Sequence, residues 1–239
     1  MTLADLLASL FPNGHEIANE GGLLLGSAPL GRNGKALVIG VSGGIALGVD
    51  EAIRLSGRVL SSLSSDTGPI IVIVDSDSQR MSKRDELLGL SEFLSHLAKC
   101  LLYADMNGRP TIGILYGHTA AGAFLATALA TRVLVGLPGA EPAVMDLPSM
   151  SKVTKLSIDV LQEKAKSTPV FAPGLENLAQ TGAVHLLWNA NKALADQLDE
   201  LLRNLPDAGD RRGDLGYARK GRLKAGPVAE RVHELAVAR

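Results

Sequence analysis

The stretch Ile70-Ile-Val-Ile-Val74 decides the fold class of this 239-residue chain. It is continuously apolar and β-branched, which is typical of a strand that is covered on both faces, as in a parallel sheet. Similar apolar runs stand upstream at Ala36–Gly40 and downstream at Thr111–Tyr116. The segments between these runs are long enough for one helix each, as parallel neighbours require.

Helical periodicity fills those segments from about Leu47 to Leu63 and from about Arg84 to Ala104. Shorter strands are predicted at Arg132–Val135 and Ala143–Met145, and the pattern from Met150 onward is mostly helical. Strands and helices therefore alternate with short connections. The sequence predicts an α/β fold with a mainly parallel sheet and a helical C-terminal section.

Composition and charge exclude several function classes. A net charge of −1 gives no electrostatic footprint for nucleic acid. Hydrophobic residues make up 46% of the chain, but no apolar run approaches the ~20 residues that span a bilayer. Met1–Leu10 lacks the basic start and cleavage signature of a signal peptide. We expect a cytoplasmic, soluble protein that binds neither nucleic acid nor membrane.

The single cysteine, Cys100, excludes an intrachain disulfide and argues against a cysteine-based zinc site, so no metal is predicted. Its apolar helical surroundings indicate a buried structural thiol. His185 and Trp188 are predicted to lie in an apolar helix of the core or of an interface. The last part of the chain is rich in cations, which favour a solvated or partner-facing surface over phosphate binding; they are Arg211, Arg212, Arg219, Lys220, Arg222 and Lys224.

Two turns could hold the chemistry, because ligands of open α/β sheets bind at the carboxyl ends of the strands. One is the predicted loop of Ser76 to Gln79 after the strand at Val74, and the other is the Gly117–Ala123 turn. Backbone N–H groups at helix starts stabilise carboxylates and enolate oxygens. Gly122 lacks a Cβ and either admits a ligand oxygen or permits tight helix–sheet packing.

The glycines of Gly40-Val-Ser-Gly43-Gly44-Ile-Ala-Leu-Gly48 follow a strand, yet they miss the dinucleotide-binding spacing and no Walker A lysine follows. Gly117-His-Thr-Ala-Ala-Gly-Ala-Phe-Leu125 resembles a helix opening of the crotonase superfamily, which includes the Clp-type serine peptidases. Ala120 stands where those peptidases carry serine, and Leu125 where enoyl-CoA hydratases carry glutamate. An oxyanion hole without a neighbouring acid or base remains, which is what decarboxylation of a malonyl thioester needs.

Several segments, in order, resemble the C-terminal half of acyl-CoA carboxyltransferases: Ile70–Lys83, Lys99–Ala104, Pro110–Gly117 and Ala140–Met145. The chain is more similar still to the gamma subunit of biotin-independent malonate decarboxylase. Gly40-Val-Ser-Gly-Gly44 and Ser167-Thr-Pro-Val-Phe-Ala-Pro-Gly174 carry that resemblance, which covers roughly residues 30–205.

The resemblance implies a crotonase-like spiral of ββα units over residues 36–205, after an N-terminal arm at 1–35 and before a basic tail or helix at 206–239. It implies a heterodimeric site shared with a beta-type subunit. The substrate would be malonyl thioester on the phosphopantetheine-type arm of an acyl-carrier subunit, or on CoA. The products would be acetyl thioester and CO2, and neither biotin nor a cofactor bound by this chain would be needed.

Carried over by position, the oxyanion donors are the N–H groups of Ser78 or Gln79 and of Gly122, with Ala121 as a further candidate. Asp77-Ser78-Gln79 replaces the proline–glycine–phenylalanine loop of the biotin enzymes. Ala121-Gly122 replaces their double glycine, a change expected to be sterically mild.

The neighbouring side chains have open roles. His118 either donates a proton to the enolate or a hydrogen bond to a carboxylate, or it caps the turn. Tyr116 closes the pocket wall or packs beneath the helix. Ser76 either contacts the carboxylate region or satisfies a turn. With Gly117 and Thr119, Tyr116 and Ser76 form the predicted substrate-binding set.

Two rival functions stay open. One is a biotin-dependent acyl-CoA carboxyltransferase subunit, against which the altered loop argues. The other is a non-catalytic crotonase-fold scaffold that completes the partner's pocket, with which the missing acid and base are equally consistent.

Overall fold

A computed structural model describes residues 1–31, 34–64 and 68–238. The strands in this part of the chain are β1 Glu16–Glu20, β2 Leu23–Pro29, β3 Lys35–Leu47, β4 Ile70–Gln79, β5 Thr111–Leu115, β6 His118–Ala120, β7 Val133–Gly136, β8 Glu141–Ala143 and β9 Leu186–Leu187. The helices are α1 Leu3–Leu10, α2 Val49–Ser62, α3 Lys83–Leu88, α4 Leu90–Met106, α5 Ala121–Ala126, α6 Leu147–Thr154, α7 Ile158–Ala165, α8 Leu175–Gln180, α9 Leu194–Arg203, α10 Arg212–Ala218 and α11 Ala225–Val237.

The main sheet has the strand order β1-β2-β3-β4-β5-β7-β9 among the described residues. The first three strands pair antiparallel, and β3 to β9 pair parallel. A second, small sheet pairs β6 with β8 in parallel. The predicted α/β architecture with a mainly parallel sheet and a helical C-terminal section is confirmed.

Both faces of the sheet are covered, as the continuous apolar strands predict. Ile70, Val72 and Val74 point to a core that contains residues of α2, α4 and α5. Ile71 and Ile73 point to the opposite core, which contains residues of α1 and α9. This alternation follows the period of two of a strand.

The region predicted as an arm contributes structure to the sheet. Strand β2 pairs with β3 in the register Leu25↔Ile39, and β1 pairs with β2 outside it. The sheet therefore begins at Glu16 rather than at Ala36. The division of the chain into an arm, a domain and a tail stays a prediction.

The prediction of a loop from Ser76 to Gln79 is wrong, because β4 continues to Gln79. Strand β3 also continues past Gly43 and Gly44 to Leu47. Its last residues pair with the extended end of β4. The pairs are Ile45↔Ser76 and Leu47↔Gln79, with register shifts between them. The first predicted segment of the candidate site, Ser76 to Gln79, is therefore the irregular end of strand β4, paired with the irregular end of β3.

Other boundaries shift for local reasons. The single helix predicted from Arg84 to Ala104 is two helices, because Gly89 adopts a left-handed φ of 84° between α3 and α4. The strand predicted at Ala143–Met145 lies at Glu141–Ala143, where it pairs with β6. Within the described residues, no helix is long and apolar enough to cross a bilayer.

The helix predicted around His185 and Trp188 is wrong as well. The two residues flank β9, which pairs with β7 through Val135↔Leu186. Both side chains are buried, as expected for core residues. The main-chain pairing with β7 replaces helical hydrogen bonds here.

Candidate functional site

The predicted site residues lie where β4 and β5 end and where the chain turns into β6 and α5. Parallel strands bring their carboxyl ends to one edge of the sheet, and β4 pairs with β5 up to Val74↔Leu115. Beyond this pair, β4 continues beside the β6–α5 segment. The two turns predicted from the sequence thus meet at one edge of the sheet.

Asp75 is the hydrogen-bonding centre of this edge. Its Oδ1 accepts the N–H of His118 at 3.1 Å, and its Oδ2 accepts the N–H of Gly43 at 3.0 Å. One carboxylate therefore ties the irregular part of β3 to the first residue of β6. Charged acceptors make the stronger hydrogen bonds to backbone N–H groups, which suits this bridging position.

Gly117 is a glycine because the Asp75 side chain fills the space beside it. A Cβ atom at residue 117 would overlap the carboxyl carbon and oxygen of Asp75. The predicted role of Gly117 in the turn therefore has a steric basis, which is the close approach of a neighbouring strand's side chain.

Ser76 and Thr119 join the same two segments a residue further along. Their hydroxyl oxygens lie 2.8 Å apart, and both residues are buried. The Ser76 hydroxyl also donates to the Asp77 carbonyl at 2.9 Å. These contacts favour a structural role for both hydroxyls over direct contact with a substrate.

Tyr116 lies half-buried beneath the turn and packs against the core on the α1–α9 face of the sheet. Burial raises the pKa of its hydroxyl, and the negative charge of Asp75 and a hydrogen bond with it raise the pKa further. The side chain is therefore neutral at physiological pH. The side chain packs on the face of the sheet opposite α5, and its predicted place in the pocket wall or beneath the helix stays a prediction.

Ala121 and Gly122 open α5, and the Gly122 N–H has a defined direction. It donates to Oε1 of Gln79 at 2.9 Å. Ala121 has a φ of 47°, in the left-handed region that disfavours side chains with a Cβ. The replacement of a family glycine by Ala121 therefore carries backbone strain, although it was expected to be mild. With six residues, α5 contributes individual N–H groups more than a summed dipole.

The structure brings some predicted residues together and leaves others apart. The side chain of Gln79 contacts Gly122. That the backbone N–H of Ser78 or Gln79 donates to the oxyanion stays a prediction. The Ser78 hydroxyl donates only to the Gln79 carbonyl in the hydrogen bonds seen for it, at 3.2 Å. His118 exposes its side chain while its backbone N–H is fixed by Asp75.

The hydrogen bonds of Asp75 and Gly43 are not predicted from the sequence. One signal for Asp75 is present in the sequence. It is a carboxylate directly after the buried run Ile70–Val74, and the neighbouring strand carries the glycines Gly43 and Gly44. Gly43 stands out in the sequence as part of the Gly40–Gly44 segment, both in the test for a nucleotide loop and in the family resemblance, and neither predicts its hydrogen bond. The hydrogen bond between them depends on the bulged course of β3, which no local pattern indicates.

Two further residues have structural roles. The Arg80 guanidinium pairs with Glu51 at 2.7 Å and donates to the Ala46 carbonyl, so it ties the end of β4 to the start of α2. Cys100 is buried in α4, as predicted, and burial raises the pKa of its thiol.

A cavity of about 250 Å³ opens directly beside Gly122. It lies between α4 and α5 and is lined by Ser91, Leu94, Ser95, Ala98, Gly122, Leu125 and Ala126. Two larger cavities of about 450 Å³ each are lined by none of the predicted site residues. We therefore take the smaller cavity as the one relevant to the site, because it alone of the three reaches a predicted donor.

The chain is similar to known proteins over most of its length. The family model described as malonate decarboxylase gamma subunit matches residues 43–236. A curated relative, the malonyl-S-ACP:biotin-protein carboxyltransferase MADD of Malonomonas rubra, is 28% identical over 203 residues, which cover 76% of this chain and 69% of the relative.

Solved structures share the fold. A Pseudomonas malonate decarboxylase hetero-tetramer in complex with coenzyme A superposes with a TM-score of 0.76 at 22% identity, covering 98% of this chain and 97% of that one. A Pseudomonas MdcD-MdcE hetero-dimer gives 0.75 at 21% identity, covering 97% and 98%. A transcarboxylase 12S subunit gives 0.68 at 15% identity, covering 87% and 42%. The crotonase-like fold predicted from the sequence is confirmed.

Proposed function

Because the chain belongs to the malonate decarboxylase gamma-subunit family, we propose that it forms a decarboxylation site together with a beta-type subunit. The substrate is malonyl thioester on the phosphopantetheine-type arm of an acyl-carrier protein, and the products are acetyl thioester and CO2. The Pseudomonas structures contain hetero-dimers and hetero-tetramers, one of them with coenzyme A, which supports a shared site for a thioester ligand.

The observation that carries this proposal is the Gly122 N–H, which already points at an oxygen acceptor 2.9 Å away. In the reaction, the bond between the carboxylate carbon and C2 breaks, and its electron pair moves onto the thioester oxygen as an enolate. CO2 leaves, and C2 takes a proton from water or an acid. A hydrogen bond from Gly122 strengthens as negative charge grows on that oxygen, so it lowers the barrier.

The residues around Gly122 suit a reaction that needs no base. Ala120 and Leu125 supply no nucleophile and no acid, and decarboxylation requires neither to start. The cavity beside Gly122 is lined mainly by carbon atoms of Leu94, Ala98 and Leu125. An apolar wall of this kind removes water from the carboxylate that leaves. It also accommodates the thioester arm.

Large apolar side chains are exposed on the elements that flank the site, which supports a protein partner there. Met81 follows β4 directly and is 81% exposed, Leu87 on α3 is 78% exposed, and Leu125 on α5 is 49% exposed. Exposed apolar groups around a site often mark a protein interface. We propose that the beta-type subunit covers these side chains and completes the site. The same proposal includes an acyl-carrier subunit that delivers the thioester, a reaction that needs no biotin, and a location in the cytoplasm.

The test is CO2 release from malonyl thioester by the purified chain with and without its beta-type partner, in the absence of biotin and ATP. We expect release only from the pair. Gly122→Val should slow release roughly 100-fold, because its side chain keeps the thioester oxygen from the N–H, and the absence of one oxyanion hydrogen bond has effects of this size. A Cβ at residue 122 lies 3.1 Å from both Gln79 Oε1 and Leu94 Cδ1, so a branched side chain closes this space.

Gly57→Val is the matched control, because Gly57 lies in α2 with nothing near its missing Cβ atom. It should keep the turnover of the natural pair. If Gly122→Val also turns over normally in a correctly assembled pair, the chain is a scaffold and not a source of the oxyanion donor.

A second function is favoured by the similarity to the Malonomonas rubra carboxyltransferase, whose name describes transfer to a biotin protein. The enolate is the same in both reactions, and only the fate of the carboxyl group differs. An alternative outcome is that the pair alone releases no CO2 and instead carboxylates an added biotinylated carrier. That result would assign the carboxyltransferase function to the pair in place of the decarboxylase function.

A further inference from the structure

The Gln79 side chain occupies the place beside Gly122 where the proposed reaction puts an oxygen atom. Its Oε1 accepts the Gly122 N–H at 2.9 Å. A Cβ atom on Gly122 would lie 3.1 Å from the same oxygen, so the amide group also covers the open side of the glycine. Amide and thioester carbonyl oxygens both accept hydrogen bonds, and they compete for the same donor.

We propose that Gln79 is a positioning residue whose side chain caps the Gly122 N–H until an acyl thioester displaces it. This inference rests on the proposed function, because it takes Gly122 as the donor to the thioester oxygen. It assigns Gln79 a side-chain role that is distinct from the backbone role predicted from the family resemblance.

The main chain around Gln79 is held in place, so only the side chain has to move. Gln79 pairs with Leu47 in the β3–β4 register, and the N–H of Arg80 donates to the Leu47 carbonyl at 2.8 Å. The Arg80 guanidinium is fixed to Glu51. Gln79 itself is half-buried. Rotation of its side-chain torsions therefore opens and closes the cap without a change in β4.

The cap also explains how the donor stays satisfied before the substrate arrives. The hydrogen bond from the Gly122 N–H is partly buried, and a donor that loses its partner in such a place is costly. The Gln79 amide provides a neutral acceptor that a substrate oxygen can replace. A charged acceptor would hold the N–H more strongly and resist replacement.

The cap has a defined kinetic signature. Both the bound thioester and the enolate require Gln79 to be displaced. The cap therefore makes the binding free energies of the two states less favourable by the same amount. It therefore raises KM and the Kd of thioester ligands and leaves kcat unchanged. A neutral hydrogen bond corresponds to a factor of about 2 to 10 in affinity.

The experiment compares Gln79→Leu, Gln79→Glu and the control Gln162→Ala in the complex of the chain with its beta-type partner. Gln162 is exposed on α7. A non-hydrolysable ketone analogue of acetyl-CoA is titrated by calorimetry, which requires no turnover. The amide proton of Gly122 is followed by NMR with glycine labelling, and kcat and KM are measured for malonyl thioester.

We expect Gln79→Leu to lower the Kd of the analogue and the KM about 2- to 10-fold, with kcat within about twofold. The Gly122 amide proton should shift upfield. Gln79→Glu should raise the Kd, and lowering the pH to protonate the new carboxyl should reduce that effect. Gln162→Ala should match the natural chain.

A weaker affinity in Gln79→Leu, or an unchanged Gly122 amide shift, would overturn the cap. So would a natural complex that does not bind the analogue, since nothing then competes with Gln79. A complex that binds the analogue but releases no CO2 would overturn the proposed decarboxylase function only. The Kd of the analogue and the chemical shift of the Gly122 amide proton would still test the role of Gln79.

Discussion

Ala121 is the site residue whose backbone conformation least suits its side chain. Its φ of 47° lies in the left-handed region, next to Ala120 with an extended φ of −141°. The strained residue directly precedes the proposed donor, so the strain sets the direction of the Gly122 N–H. Strain of this kind persists where the surrounding structure fixes the backbone, often at functional sites.

We predict that Ala121→Gly stabilises the chain by up to about 1.5 kcal/mol. The left-handed conformation costs an alanine about 1–2 kcal/mol, and the greater freedom of the unfolded glycine offsets about 0.5–1 kcal/mol of that gain. Urea unfolding measures the change. Ala120→Gly is the control and should be less stable than the natural chain, because its extended backbone gives glycine no advantage. Equal losses in the two variants would contradict the strain at Ala121.

At the scale of elements, the start of α2 is organised by a side chain from another helix. Oδ1 of Asp85, in α3, accepts the N–H of Val49 at 3.1 Å, and Oδ2 accepts the Ser82 hydroxyl at 2.5 Å. The Asp85 side chain is only 1% exposed. These two hydrogen bonds, the Ser82 one foremost, hold the pKa of Asp85 below its ordinary value despite burial. Asp85 therefore joins α2 to the segment that follows β4.

We predict that Asp85→Asn lowers the free energy of unfolding at pH 7 by about 1–3 kcal/mol, because an NH2 group then replaces one of the two oxygens that accept from Val49 and Ser82. Asp50→Asn is the control: Asp50 pairs with Arg84 at the surface, and its loss should matter little.

The same carboxylate gives a pH dependence with a defined sign. A folded-state pKa below the ordinary 3.8 stabilises the fold above that pH, and the contribution disappears as the pH falls through the folded value. Unfolding of Asp85→Asn should therefore depend less on pH below about 4 than unfolding of the natural chain. A parallel pH dependence in the two proteins would refute the role of the ionised carboxylate.

At the scale of the whole molecule, the C-terminal cations fasten the last helices to the sheet. Arg219 donates to the carbonyls of Ala179, Val184 and His185, and Arg212 donates to those of Leu129 and Thr131. The expectation of a solvated or partner-facing cluster is therefore wrong for these two arginines. Their guanidinium groups satisfy carbonyls of α8 and of the segments that lead into β7 and β9.

His185 lies beside these arginines and is held neutral. Its Nδ1 accepts the N–H of Leu134 at 3.1 Å. Burial lowers the pKa of His185 to about 4, and the positive charges of Arg212 and Arg219 act in the same direction. Protonation would add a third positive charge beside the two arginines and break the hydrogen bond to β7.

We predict that acidification from pH 6.5 towards pH 4 destabilises the chain through His185. The unfolded chain binds a proton below its ordinary pKa of 6.5, whereas the folded chain does not until about 4, so protons favour unfolding. The loss at pH 5 is about 2 kcal/mol. His185→Gln, whose side-chain oxygen can accept the Leu134 N–H, should reduce the pH slope of urea unfolding. His233→Gln, on exposed α11, should leave the slope as in the natural chain.

The sequence by itself determined the fold class, the parallel core strands, the buried Cys100 and a helix start within Gly117–Ala123, although His118–Ala120 form the short strand β6 there. Continuous β-branched runs and glycine positions are local signals, and local signals are sufficient for these features. The family resemblance added the crotonase-like fold and the subunit family, both of which the comparisons support.

Only the tertiary structure decided how the candidate site is assembled. The extension of β4 to Gln79 requires the bulged end of β3 as a partner, and the Asp75 bridge requires Gly43 and His118 to meet. The contact between Gln79 and Gly122 joins residues 43 positions apart. Such contacts depend on strand order and register, which pair distant segments of the chain and leave no trace in the pattern of either segment alone.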